Sequence, residues 1–202
     1  MKRILLTGFA PFSGEQVNPS EKVVRMIGEN SDYAWLDTLI LPVSFKKSPE
    51  ILFQSLSQQD YDKVVMLGQA GGRQKISLER VALNWVETYI ADESGYTPKP
   101  GVIDSAADKA FFSGWPLHKM EQDLLSQKIP VEISFSAGSY VCNYLYFKVT
   151  AELSLMNKSC LFVHLPFLPE QIAHKKDQPA MAFSVMQAGV EQVLKFLKNN
   201  SL

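Results

Sequence analysis

Two cysteines and three histidines are all the chain carries of those types, so each can be weighed singly as a chemical group. Cys142 stands in Ser-Ala-Gly-Ser-Tyr-Val-Cys-Asn, past a glycine and at the start of an apolar, helix-like stretch. A thiol in the first turn of a helix meets the positive end of the helix dipole and unpaired backbone N–H groups, which favour thiolate over thiol. Gly138 and Ser139 let a ligand approach the backbone closely, and N–H groups at such a turn could hold an oxyanion. This is the setting of a nucleophile for acyl transfer; the competing reading is a small core cysteine inside an amphipathic helix.

A thiol nucleophile needs a base. His164 lies toward the end of the apolar run Cys-Leu-Phe-Val-His-Leu-Pro-Phe, where an α/β sheet delivers functional groups to its edge, so it is the best base available. His118 on a polar helix face and His174 beside Lys175 and Lys176 read as solvated. Cys160 opens that same run and reads as a buried, unreactive thiol. Glu79, in Ile-Ser-Leu-Glu-Arg-Val-Ala, is flanked by apolar residues and must find a partner or face water. It could pair with Arg80, or it could accept a hydrogen bond from His164 and fix the imidazole tautomer.

These groups must be carried by elements. Apolar runs at residues 4–6, 64–67 and 161–165 read as buried strands, while the segments between them show helical spacing. Asn18-Pro19-Ser20-Glu21 supplies an N-cap, a proline at the first helical position and a glutamate at the third. Ser48-Pro49-Glu50 reads as a second helix start of the same kind, and further helices are expected over residues 117–126, 140–155 and 180–197. Residues 76–86 read as strand, with Val81, Leu83 and Trp85 on one face, and residues 91–114 as an extended surface excursion. Strands alternating with helices imply an α/β fold, a three-layer α/β/α sandwich around a mixed, mainly parallel sheet. The 202 residues suit one domain, 1–202.

Composition excludes several classes. Twenty Lys and Arg nearly balance 21 Asp and Glu, and no basic run interleaves with aromatics, so no nucleic-acid or anionic-membrane partner is expected. No run approaches the roughly 20 apolar residues of a membrane span. The opening apolar run is too short for a secretory leader, so a cytoplasmic location with free thiols is expected. No Cys-x-x-Cys or His-Glu-x-x-His spacing points to a metal, and no cofactor is expected. The glycine-containing segments at 7–14 and 68–73 follow strands but match neither the Walker nor the dinucleotide pattern. Phe9 and Phe12 in the first suit a planar, apolar ligand, or else the core.

The Phe-x-Pro-Phe loop with Asn18-Pro19, the Gly-Gln-Ala-Gly-Gly-Arg turn, Ser-Leu-Glu-Arg-Val-Ala, Ser-Ala-Gly-Ser-Tyr-Val-Cys-Asn and Val-His-Leu-Pro-Phe-Leu-Pro-Glu-Gln occur in this order along the chain. Together they resemble pyroglutamyl peptidase I. The resemblance implies a cysteine peptidase that removes an N-terminal pyroglutamyl residue from peptides, with Glu79, Cys142 and His164 as its triad. It implies a lactam site of Phe9, Phe12, Tyr140 and Val141 with Gln69 nearby, to which Asn18 is added from its place in the first motif. It also implies a homo-oligomer, a tetramer in many bacterial members. Two positions depart from the family pattern. Ser13 replaces a loop glycine, which is harmless if the backbone there needs no positive φ. Tyr89 stands where relatives carry an arginine that supports the active-site region, which leaves open an amidohydrolase on another lactam or small amide, or a pyroglutamyl-binding protein of weak activity.

Overall fold

The computed structural model describes residues 3–200 apart from Asn157 and Lys176. The elements run β1 Ile4–Phe9, α1 Pro19–Glu29, β2 Leu36–Leu41, α2 Lys47–Gln58, β3 Lys63–Gln69, β4 Ile76–Glu79, β5 Val81–Leu83, β6 Ala110–Phe112, α3 Leu117–Ser126, β7 Val131–Ser134, α4 Val141–Leu155, β8 Ser159–Leu165 and α5 Phe183–Asn199.

Six strands form one sheet in the order β2-β1-β3-β8-β4-β7, and β5 pairs with β6 in a separate antiparallel ribbon. Within the large sheet β4 runs antiparallel to β8, and the other pairs are parallel. Alternating side chains send Leu6, Leu67, Leu78 and Val163 to one face, where Val23, Val24 and Ile27 of α1, Leu117 and Met120 of α3, and Val190 and Val193 of α5 cover them. Leu5, Met66 and Phe162 point to the other face, beneath Leu52 of α2 and Leu145, Tyr146 and Val149 of α4. Two apolar layers on a central sheet make the α/β/α sandwich with a mixed, mainly parallel sheet.

The start of α1 is built as its sequence demands: Asn18 caps it by accepting from the Ser20 N–H at 3.0 Å, and proline opens the first turn. The start of α2 is not. Ser48 lies inside the helix, whose capping residue Lys46 provides no side-chain cap, and the Ser44 hydroxyl accepts the Lys47 N–H at 3.3 Å instead. Of the stretch read as strand, residues 76–79 and 81–83 are strand, broken at Arg80 between two sheets, and the strand stops at Leu83, so Ala82 turns inward while Trp85, beyond the strand, is exposed. Residues 91–114 hold little regular structure before β6, yet they are not all surface. Asp92 is buried, accepts the Phe45 N–H at 2.9 Å and gathers Ser94 and Tyr96 around its other oxygen, bonds that hold its carboxyl down at about 2 against the cost of burial. No described helix is long and apolar enough to cross a membrane, and no group of described His, Cys, Asp and Glu side chains is placed to hold a metal ion.

Candidate active site

Three parallel strands end on one edge of the sheet and bring residues distant in sequence together. Phe9 closes β1, Gln69 closes β3, and His164 is the penultimate residue of β8, in register with Gly68. The carboxyl edge of parallel strands is where such sheets bind ligands. Above this edge sits the N-terminus of α4, with Cys142 as its second residue. Gly68 lets the helix come close: a Cβ there would lie 2.9 Å from the Phe162 ring and 3.1 Å from Cys142 Sγ. Asn143, fully buried, locks the helix start in place by accepting from the Leu83 N–H at 2.9 Å and donating to the Leu83 and Trp85 carbonyls.

Glu79 reaches His164 because β4 runs backwards. Ser77 lies opposite His164 across the antiparallel pair, so Glu79 falls two residues deeper on the same face. There its Oε1 meets His164 Nδ1 at 2.7 Å and also accepts from Arg73 Nη1 at 2.7 Å, while its Oε2 is buried without a hydrogen-bond partner. Arg73 donates a further hydrogen bond of 2.9 Å to the Ser136 carbonyl in the loop before the nucleophile's helix. The pairing of Glu79 with Arg80 does not occur: the next residue leaves the strand, and Arg80 reaches toward the Trp115 carbonyl at 3.4 Å.

Charge states follow from this geometry. Burial alone would raise the Glu79 carboxyl, but the bond to His164 with that residue's charge, then Ser134 and Arg73, hold it below the ordinary carboxylate value, so it is ionised at neutral pH. Burial lowers His164 despite the Glu79 hydrogen bond, so the imidazole rests neutral. With Glu79 on Nδ1, that nitrogen carries the proton and Nε2 is free to accept one. Burial, reinforced by the Glu79 charge, pushes the Cys142 thiol up to about 12. Desolvation and the nearby carboxylate oppose the helix dipole at this thiol and favour its neutral form.

Cys142 and His164 open on a cavity of about 270 Å³. Phe9, Phe12, Asn18, Gln69, Tyr140 and Val141 all line it, as do Val43, Ala137, Gly138 and Arg73. The cavity is thus an apolar slot with two amides and one guanidinium. Tyr140 provides no side-chain cap for α4, so the first-turn N–H groups beside Cys142 are left for a ligand; its hydroxyl donates instead to the Ala91 carbonyl at 2.9 Å. Cys160 is buried against Thr150 Oγ1 at 3.1 Å, and burial raises its thiol to about 12 as well. His118 and His174 are exposed, and Lys176 beside the latter lies outside the described residues.

The two family departures resolve differently. Ser13 has φ of 55° and Gly14 of 77°, closed by an N–H to carbonyl bond from Glu15 to Phe12. Two positive φ values at the centre of a four-residue turn are the type I′ pattern, which favours glycine or asparagine. The backbone therefore does require the left-handed region here, at a cost of about 1 kcal/mol for serine. Ser13→Gly is expected to raise the melting temperature by about 2–4 °C, readable by calorimetry. Tyr89 is 91% exposed and lies away from the cavity. Its segment is tied to the nucleophile's loop without it, since the Glu87 N–H donates to the Ser139 carbonyl at 3.1 Å.

A thiol and an imidazole sharing a cavity, with a buried carboxylate on the far ring nitrogen, define a cysteine hydrolase on an α/β/α sandwich. The pyroglutamyl peptidase family model matches residues 2–198, and the chain belongs to that family. A pyrrolidone-carboxylate peptidase of Thermosipho africanus is 39% identical, over 97% of each chain, and one of Fusobacterium nucleatum is 37% identical, over 94% of this chain and 90% of its own. Among solved structures, the pyrrolidone carboxyl peptidase of Fervidobacterium islandicum superposes with a TM-score of 0.94 at 35% identity, covering 98% of this chain and 99% of that one. The pyroglutamyl peptidase I of Bacillus amyloliquefaciens gives 0.88 at 32% identity, covering 95% and 92%.

Beyond the apolar wall residues Val43 and Ala137, sequence reasoning passed over Arg73 and Gly68. Arg73 was seen only as the end of a glycine-rich turn, although Gly72 at φ of 82° is the local signal that the chain reverses there and turns the next side chain back. Gly68 carried no signal, because its role depends on a helix that arrives about 70 residues later.

Proposed function

We propose that this chain is a cysteine exopeptidase that hydrolyses the amide bond after an N-terminal pyroglutamyl residue, with Cys142 as nucleophile, His164 as general base and acid, and Glu79 orienting the imidazole. The supporting observation is the cavity in which Cys142 and His164 stand beside an apolar slot wide enough for one small ring. His164 takes the thiol proton as Sγ attacks the pyroglutamyl carbonyl. The oxyanion forms against the free N–H groups of the first turn of α4. His164 then gives its proton to the departing amine, and water, activated by the same imidazole, hydrolyses the thioester. Phe9, Phe12, Tyr140 and Val141 pack the lactam ring, and Asn18 and Gln69 supply its hydrogen bonds. We read the chain as one domain that assembles as a homotetramer in the cytoplasm, on the family resemblance alone.

Selectivity follows from desolvation. A neutral lactam enters an apolar slot at little cost, whereas the ammonium of a free glutaminyl terminus loses its water and finds no carboxylate partner in the wall. The test is kcat/KM on pyroglutamyl-, glutaminyl- and prolyl-coumarin amides. A preference of about 10³-fold or more for the first is expected; comparable turnover of the glutaminyl amide would overturn the assignment.

The pH profile has a definite sign. The base must be neutral to work, and His164 is held below its ordinary value, so kcat/KM is expected to rise with pH through a midpoint under about 6.5. With the thiol at about 12, no alkaline decline is expected between pH 7 and 9. An alkaline midpoint near 8.5 would instead reveal a preformed thiolate–imidazolium pair.

A further inference from the structure

Gln171 lies outside the cavity, in the 3-10 turn Pro169–Ile172 that follows β8, and is 7% exposed. Backbone groups alone tell its two amide atoms apart. The Leu168 N–H donates to one of them at 2.9 Å, so that atom is the oxygen. The other faces the Val17 carbonyl at 3.1 Å and Glu15 Oε2 at 3.2 Å, so it is the NH₂. An NH₂ can only donate, and the Gln69 amide meets it at 2.8 Å. Gln69 must therefore turn its oxygen toward Gln171, and its own NH₂ is left as the other end of the amide in a residue that lines the cavity. No described residue accepts a hydrogen bond from that NH₂.

Asn18 repeats the pattern. The Ser20 N–H donates to its Oδ1 at 3.0 Å, which identifies the oxygen, and the Ser20 hydroxyl adds a second bond at 2.8 Å. Its Nδ2 donates to the Ala10 carbonyl at 3.1 Å and has one N–H left over. Both amides of the cavity wall thus have their oxygens engaged by the protein and keep N–H donors in hand.

We propose that Gln171 is a positioning residue for specificity: it fixes the polarity of the Gln69 amide so that the cavity offers hydrogen-bond donors to the ring carbonyl of the substrate. This rests on the pyroglutamyl reading given above. Without Gln171 the Gln69 amide is free to rotate, and half of its orientations would set an oxygen against the lactam oxygen. Because the ring carbonyl is remote from the scissile bond, the interaction acts on substrate and transition state alike and belongs in KM.

The experiment compares wild type, Gln171→Met, Gln69→Leu and the double variant on pyroglutamyl-coumarin amide, with thermal unfolding of each. Gln171→Met is expected to raise KM about 10-fold with kcat within about 2-fold, and the double variant to be no worse than Gln69→Leu alone, since Gln171 acts through Gln69. Additive losses, or a fall in kcat at unchanged KM, would show a merely structural role and overturn the proposal. Should Gln171→Met fail to fold, Gln171→Glu keeps the shape and the acceptor for the Leu168 N–H; it is made together with Glu15→Gln, so that no carboxylate faces the new charge and Lys175 is released from its partner. Its carboxylate must draw the Gln69 NH₂ to itself and turn an oxygen into the cavity, so KM is expected to rise at least as far; an unchanged KM would overturn the proposal. Failure of the functional reading looks different, because wild type itself would then not hydrolyse the pyroglutamyl amide.

Discussion

Glu79→Gln is expected to leave the fold intact and to lower kcat/KM by about 10³- to 10⁴-fold, the upper figure being the loss in kcat when the carboxylate of a catalytic triad is neutralised. The amide matches the carboxylate in shape, and its oxygen can still accept from His164 Nδ1 and Arg73 Nη1, both now at 2.7 Å from Oε1. The charge is what disappears. During attack His164 becomes an imidazolium in a buried site, and among the described residues Glu79 offsets that charge while Arg73 opposes it. Neutralising Glu79 leaves Arg73 unbalanced beside the developing cation. Two readouts distinguish this from simple damage. The acid limb of the pH profile should move to lower pH, since the groups that raise His164 are lost, and adding Arg73→Gln should restore part of the lost rate. Unchanged turnover in Glu79→Gln would reduce the residue to a buried ion-pair partner.

Much of this arrangement was legible before the structure, and the reasons are specific. The strands β1, β3 and β8 lie in the middle of the sheet, buried on both faces, so they read as unbroken apolar runs. The edge strands β2 and β7 did not stand out. Leu-Asp-Thr-Leu-Ile-Leu carries Asp37 and Thr38 at its centre because an edge needs polar side chains, and Asp37 there pairs with Arg3. The members of the site were found by type, and the contact of Glu79 with His164 stood as one of two open readings. Glu79 reaches His164 only because β4 runs antiparallel to β8, a fact of topology that spacing along the chain does not encode. The protonation state of Cys142 was not legible for a related reason. The helix terminus is local and visible in sequence, whereas the burial that outweighs it comes from the sheet, the neighbouring loops and Glu79. Tyr89 was judged by its place in a motif, and its exposure shows that a motif position need not carry a side chain to the site.

Cys142→Ser carries the largest expected effect. The thiol at about 12 is ionised only when His164 accepts its proton, and a serine hydroxyl in the same place is a far weaker acid and nucleophile. Loss of the nucleophile in comparable triads costs on the order of 10⁶ in kcat, so a fall of at least about 10⁴-fold is expected here. Cys160 supplies the control, being a thiol of equally raised pKa that is sealed in the core next to Thr150, away from the cavity. Hydrolysis of pyroglutamyl-coumarin amide by wild type, Cys142→Ser and Cys160→Ser, each verified as folded, is the most direct test. Wild type and Cys160→Ser should turn the substrate over within a few-fold of each other while Cys142→Ser is inert; activity in Cys142→Ser equal to wild type would contradict the nucleophile and the mechanism built on it.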